Sequence, residues 1–427
     1  MSAHHGIAVV GASIAGVAAA DAVRSGGYDG PVWLIDRQPD QPYDRPPLSK
    51  KSLLDGAAPV PLRAADHWLR QRFDLLLGRA GTALRAAERT LVLDDGTELS
   101  CAAIVLAPGA DPRPLPFPVG GFPVQLLRTA ADARRLSATL DRVRSLTVIG
   151  AGFIGLEVAA AARQHQIDVT VVEAVTDPLA DAIGAPAAQF LLDAHRAAGT
   201  RLLAGRSVSE VRPADGGATV LLNTGEELRT EAVVAGIGVR PAVDWLTGSG
   251  LALHNGIVAD AALRTDAAGI YACGDAASWP NPVYRRRMRV EHWTTAREQG
   301  AHAGAAAARF ALTGETSAPF AHVPYVWSDQ LGHKVQMVGC LLPGAQTVLE
   351  RCDERGMLAS HYLGDRLIGR TGINAPRQVM PTRRQIHVDC LNGACDECPP
   401  GAAIGTASDA AASAAGVASA TLEGALS

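Results

Sequence analysis

The apolar run Ile7–Val10 stops at Gly11-Ala12-Ser13-Ile14-Ala15-Gly16, and an alanine-rich stretch follows to about Arg24. A short apolar run bounded by a glycine turn predicts a buried strand, and the alanine-rich stretch predicts a helix. A second apolar run, Val32–Ile35, ends in Asp36, twenty residues after Gly16. The pattern then recurs. Leu146–Ile149 is followed by Gly150-Ala151-Gly152-Phe153-Ile154-Gly155, a helix through about Gln164, and the run Val169–Val172 ending at Glu173, eighteen residues after Gly155. Other strand-like runs end in turns: Ile104–Leu106 before Ala107-Pro108-Gly109, Val233–Val234 before Ala235 to Gly238, and Ile270–Cys273 before Gly274-Asp275. After about Pro319, "VQMVGCLL", "TVLERC" and "LASHYLG" predict strands, and a helical run from Arg377 to Val388 closes the region.

The two glycine-punctuated turns carry chemistry because each sits between a strand and a helix. In the first, Gly11 makes the tight turn, small Ser13 lets backbone approach a pyrophosphate, and Gly16 lets helix and strand pack closely. The helix start offers amides and positive dipole, and Asp36 is placed to bind ribose hydroxyls. Gly150, Gly152, Gly155 and Glu173 repeat the set. One such turn is weak evidence, since it can be a turn and nothing more. Two, each with an acid at the end of the next strand, indicate two Rossmann-like modules and two dinucleotides. Ala-Val-Thr-Asp-Pro follows Glu173 with no Arg or Lys to hold a 2′-phosphate, so NADH should be preferred over NADPH. Asp275, at a strand end, suits a polyol chain or an ordinary helix cap. Cys273 reads as a buried strand residue.

Composition narrows the classes. The chain has 427 residues, 48% hydrophobic and 19% charged, with net charge -4, so several domains with ample core are expected and neither nucleic acid nor membrane is indicated as a partner. Seven cysteines without secretory context argue against a disulfide framework. The N-terminal apolar run lacks a basic flank, no run reaches spanning length, and a cytoplasmic protein is expected.

Together these residues resemble the two-dinucleotide flavoproteins of the glutathione reductase-like superfamily. Within it they resemble the FAD-dependent ferredoxin reductases of oxygenase systems, the putidaredoxin reductase and aromatic-ring dioxygenase reductase type. The shared pieces run in family order from about residue 7 to about 388: "RPPLSK", "GAGFIGLEVAA", "LRT", "VAGIGVRP", "NGIV", "VEHWTTAREQG" and "YVWSDQLGHKVQMVG". The resemblance implies an α/β fold with two Rossmann-like dinucleotide-binding domains and a small α+β C-terminal domain. The FAD domain would comprise residues 1–110 and 235–318, the NAD domain 111–234, and the C-terminal domain 319–398, with 399–427 a flexible tail. It implies that Gly11, Ser13, Ala15, Gly16 and Asp36 serve the adenosine half of FAD, with Arg45 and Lys50 near the isoalloxazine and Arg128, Asp275 and Trp293 also on FAD. Gly150, Gly152, Ile154, Gly155, Glu173 and Gly238 would serve NAD. Lys50, Glu157 and Trp327 would lie at the reacting centre, and no metal site is implied. Ser13 and the "APG" turn at 107–109 depart from commoner glycine and "ATG" patterns without altering the class.

Relatives that reduce disulfides place a cysteine pair near the flavin, yet the first cysteine here is Cys101. The Pro46-Pro47 step predicts stiff, extended backbone instead. Electrons are therefore expected to leave singly, to a [2Fe–2S] ferredoxin feeding a P450 or Rieske-type oxygenase. A rubredoxin reductase or other NADH-dependent flavin reductase is the alternative enzyme, and a flavin/NAD-binding sensor the alternative of another class. Arg285, Arg286, Arg287 and Arg289 form a basic run that either steers an acidic partner or is a solvated face. A monomer or weak dimer is expected. Cys390, Cys395 and Cys398 have part of a cluster-like spacing but no fourth ligand after them.

Overall fold

The computed structural model describes residues 5–391, the side chains of the last three excepted. The glycine-bounded apolar runs become the parallel cores of two sheets, the first of which adds Thr90–Leu93 and Gly81–Arg85 as antiparallel strands. In the first, the strands lie in the order Phe73–Leu77, Val32–Asp36, Gly6–Val10, Glu98–Leu106, Thr90–Leu93, Gly81–Arg85, and Ile270–Ala272 also pairs with Glu98–Leu106. Gly6–Val10 is parallel to both neighbours, and Ile270 pairs in register with Ile104. All five residues of Gly6–Val10 are buried, as a central parallel strand requires. The helix Ile14–Ser25 packs against Trp293–Thr313, and glycines permit the contact. A Cβ on Gly300 would stand 2.1 Å from Ala15 O, and one on Gly304 2.1 Å from Ala19 O.

The second parallel sheet has the order Arg201–Ala204, Asp168–Glu173, Ser145–Ile149, Ala232–Ala235. A three-stranded antiparallel sheet, Val208–Ala214, Gly217–Leu222 and Glu227–Thr230, adjoins it in sequence. The C-terminal sheet is antiparallel, ordered Tyr325–Gln330, His333–Gly339, Arg366–Ile373, Gly356–Leu363, Gln346–Asp353. Its Val335, Met337, Met357 and Ile373 share one apolar core with Leu146, Val148, Leu156 and Leu191 of the second parallel unit.

Two local expectations need correction. Pro46–Ser49 is a turn of 3-10 helix rather than extended chain, closed by Leu48 N–H to Arg45 O at 2.9 Å and Lys50 N–H to Pro47 O at 3.1 Å. Proline's fixed φ fits the first turn of a helix, where its missing N–H costs nothing. The expected helix from Arg377 to Val388 is two helices, Pro376–Val379 and Thr382–Leu391. Pro381 stands between them and cannot donate the bond that would continue the first. Strands Tyr325–Gln330 and Arg366–Ile373 were not among the expected runs, because buried Gln330 in the first and buried Thr371 in the second interrupt the apolar pattern. The tail and Cys395 and Cys398, with the side chain of Cys390, lie outside the described residues.

Candidate cofactor site between the two parallel sheets

A cavity of about 1160 Å³ runs from the first glycine turn to the second. Single ligand pockets are typically about 300–1,000 Å³, so this one has room for more than one ligand. Both turns have the geometry that a dinucleotide needs. Gly11 has φ +102, and a Cβ there would lie 2.1 Å from Ala107 O. A Cβ on Gly16 would lie 1.7 Å from Gly11 O, so only glycine lets the helix close on the turn. The second turn repeats this: Gly150 has φ +103, and a Cβ on Gly155 would stand 2.0 Å from Gly150 O. Nothing lies within 4 Å of a Cβ on Gly152, so the backbone there faces open cavity.

The two acids at the strand ends are held alike. Asp36 Oδ2 accepts from Ala12 N–H at 2.7 Å and Oδ1 from Gln38 N–H at 2.8 Å. Glu173 Oε2 accepts from Ala151 N–H at 2.7 Å and Oε1 from Val175 N–H at 2.9 Å. Each carboxylate is thereby fixed beside its glycine turn with lone pairs left for hydroxyls.

At the first turn two guanidiniums converge. Arg45 Nε donates to Ser13 Oγ at 3.1 Å and Nη1 to Arg128 O at 2.9 Å. Arg128 Nη2 pairs with Asp275 at 3.2 Å, and its buried Nε has no partner. Burial, then the neighbouring Arg128 charge, holds Arg45 below its ordinary value. Two cations beside helix-start amides suit a pyrophosphate. Arg45 therefore sits at the first glycine turn. Further along, Arg289 is buried, donates to Asp275 O at 3.0 Å and to Glu291 at 2.5 Å, and has an unpartnered buried Nη2. His292 has an unpartnered buried Nδ1, and burial pushes its imidazole down to about 4, which leaves it neutral at pH 7. These orphaned polar atoms beside a roomy cavity fit a polar cofactor.

Where the two modules and the C-terminal sheet meet, Glu157 is buried and surrounded by donors. Lys50 Nζ lies 2.7 Å away, and the hydroxyls of Ser49 and Ser328 both donate to it. Ser328 Oγ accepts from Gln330 Nε2 at 2.9 Å, and His195 Nε2 lies 2.9 Å from Gln330 Oε1. Because the Gln330 oxygen only accepts, His195 must carry its proton on Nε2. Burial lowers the His195 pKa, which keeps it neutral. Each of the three units supplies part of this chain. Trp327 stacks on Tyr325 at 5.7 Å and meets Trp293 edge-on at 5.9 Å, while Trp293 Nε1 donates to Asp44 at 2.7 Å.

Every expected residue from the two turns, Arg45, Lys50, Arg128, Glu157, Gly238, Asp275, Trp293 and Trp327 included, lines this cavity, apart from Gly16 and Gly155, which pack behind the turns. Ile154 is 44% exposed there. The basic run is different. Arg287 donates inward to Ala259 O and Ser278 O, Arg289 is buried, Arg286 and Arg287 are half-buried, and Arg285 alone of the four is exposed. Arg289 is therefore not part of an exposed basic face. Ser328, Gln330 and His195 escaped sequence reasoning, as single polar residues in separate elements carry no spacing signal. Cys340 is the cysteine that lines the cavity among the described residues, and burial pushes its thiol up to about 12.

The model of the family described as pyridine nucleotide-disulphide oxidoreductase matches residues 5–300, and the reductase C-terminal model matches residues 325–391. The chain is 38% identical over 384 residues to rhodocoxin reductase of Rhodococcus erythropolis, covering 88% of this chain and 88% of that protein. It is 36% identical over 383 residues to the ferredoxin–NAD(+) reductase component of the anthranilate 1,2-dioxygenase system of Burkholderia cepacia, covering 88% and 93%. A chain of the covalent putidaredoxin reductase–putidaredoxin complex superposes with a TM-score of 0.82 at 29% identity, covering 91% of this chain and 94% of that one.

Proposed function

The chain belongs to the pyridine nucleotide-disulphide oxidoreductase family, and from that premise we propose that it is an FAD-dependent NADH:ferredoxin oxidoreductase serving an oxygenase system. The observation that carries this reading is the junction around Glu157: it has an ion pair and a pair of tryptophans where a disulfide reductase needs a dithiol. Cys340 is half-buried, and its thiol, pushed up to about 12, stays protonated at neutral pH, so it cannot act as the thiolate such chemistry requires. The curated relatives named above are reductases of ferredoxin-type partners, which supports a small iron–sulfur protein as the acceptor.

In this reading residues 1–110 and 235–318 hold FAD, 111–234 hold NADH, and 319–391 close the junction. Gly11, Ser13, Ala15 and Asp36 receive the adenosine half of FAD, and Arg45 and Arg128 its diphosphate. Asp275, fixed by Arg128 and by the Arg289 contact to its carbonyl, receives the polyol. Gly150, Gly152, Ile154, Glu173 and Gly238 receive NADH. Bound FAD would supply the step from a two-electron hydride to single electrons. The chain's own work is to orient and to exclude water. Lys50 and Glu157 present a fixed charge pair at the ring junction, and Trp293 and Trp327 shield it from solvent. Neutral His292 adds no positive charge there.

FAD-loaded protein should reduce cytochrome c with NADH much faster when a small [2Fe–2S] ferredoxin is added. Rapid flavin bleaching by NADH with no gain from several such ferredoxins would redirect the search to rubredoxin or to a sensor role.

A further inference from the structure

The segment after Glu173 lacks a basic residue, yet folding brings one to the same end of the cavity. Arg206 N–H donates to Glu173 O at 3.0 Å, and Gly205 N–H to Val175 O at 3.2 Å. Strand Arg201–Ala204 pairs beside Asp168–Glu173 with Ala204 opposite Glu173, so Arg206 leaves the sheet next to the carboxylate that faces the ribose. Glu173, Ala174, Val175, Asp177 and Arg206 all line the cavity, and Arg206 carries the positive charge of that group. A guanidinium there is the usual means of holding a 2′-phosphate.

This guanidinium is already engaged. Arg206 Nη1 is ion-paired with Glu226 Oε2, and Glu226 Oε1 holds Arg201 Nη2 at 2.7 Å. Glu226 is delivered by a tight turn: Leu222 N–H donates to Glu226 O at 2.9 Å. That turn is itself docked on the Arg206 segment, since Asn223 N–H donates to Ser207 O at 2.9 Å and Ser207 N–H to Asn223 Oδ1 at 3.2 Å. The backbone that carries Glu226 is thus held beside the Arg206 segment.

We propose that Glu226 is a second determinant of coenzyme choice, which retains Arg206 in an ion pair and so denies it to the 2′-phosphate of NADPH. This rests on the reading that the Glu173 end takes the adenosine part of NADH. Discrimination then comes from two carboxylates, one repelling the phosphate and one neutralising the guanidinium of Arg206 that would otherwise hold it.

The test uses FAD-loaded full-length protein and two probes, ADP and 2′,5′-ADP, measured by titration calorimetry. Glu226→Ala should tighten 2′,5′-ADP by about tenfold, the size of one charge-assisted hydrogen bond, with ADP affinity held. Adding Arg206→Gln should abolish the gain, and wild-type FAD content would show that both variants fold. An unchanged ratio of 2′,5′-ADP to ADP affinity in Glu226→Ala, or a gain that survives Arg206→Gln, overturns the proposal alone. Failure of ADP to bind, or of Glu173→Gln to alter either affinity, overturns the underlying placement of NADH and the proposal with it.

Discussion

Replacing Lys50 with methionine keeps much of the side-chain volume and removes the cation 2.7 Å from Glu157. The Glu157 side chain is 4% exposed and that of Lys50 22%, so water screens the pair only from the lysine side. Breaking a buried ion pair by deleting one partner costs about 3–5 kcal/mol. Two hydroxyl donors, Ser49 and Ser328, still face the carboxylate afterwards, which places the expected loss near the lower end, about 3 kcal/mol. Glu157→Gln in the same background removes the stranded charge, so the double variant should recover part of the loss, with a coupling of about 2 kcal/mol. Urea unfolding of the four FAD-loaded proteins would be followed by far-UV circular dichroism and by flavin release. The free energies apply if the two transitions coincide. Additive single and double losses, with coupling under about 0.5 kcal/mol, would refute the claim that Lys50 and Glu157 form one electrostatic unit.

Other predictions follow from the same geometry. Gly155→Ala puts a Cβ 2.0 Å from Gly150 O, so flavin bleaching by NADH should fall at least tenfold while FAD content stays normal; unchanged bleaching would remove the second turn from NADH binding. His361 is fully buried between the hydroxyls of Thr347 and Thr371, and burial pushes its pKa down to about 4. The unfolded chain protonates this imidazole near the ordinary value of about 6.5, so stability from it is complete above that pH. It is lost as pH falls toward 4, by up to ~3 kcal/mol. His361→Gln should flatten the decline in urea midpoint across that window, and an unaltered slope would assign the acid sensitivity elsewhere. Arg285→Glu should weaken the salt dependence of ferredoxin reduction only slightly, because Arg287 and Arg289 are turned inward; a large loss would restore a broad basic docking face.

The sequence by itself determined both dinucleotide turns, because strand, glycine turn, helix and terminal acid are all local and bound by sterics within some thirty residues. Gly11, Gly16, Asp36, Gly150, Gly155 and Glu173 were legible for that reason, and the matching motifs carried Lys50, Glu157, Asp275 and Trp293 to the same cavity. Tertiary structure alone decided what surrounds Glu157. Ser49 lies 108 residues from it in the chain and Ser328 lies 171 away, and nothing in the spacing of polar residues announces bonds of that span. It also decided that Arg287 and Arg289 point inward and that Arg206 meets both Glu173 and Glu226. A run of like charges in a sequence reads as a surface, yet backbone carbonyls and a half-buried carboxylate hold an arginine inward when the fold brings them within reach.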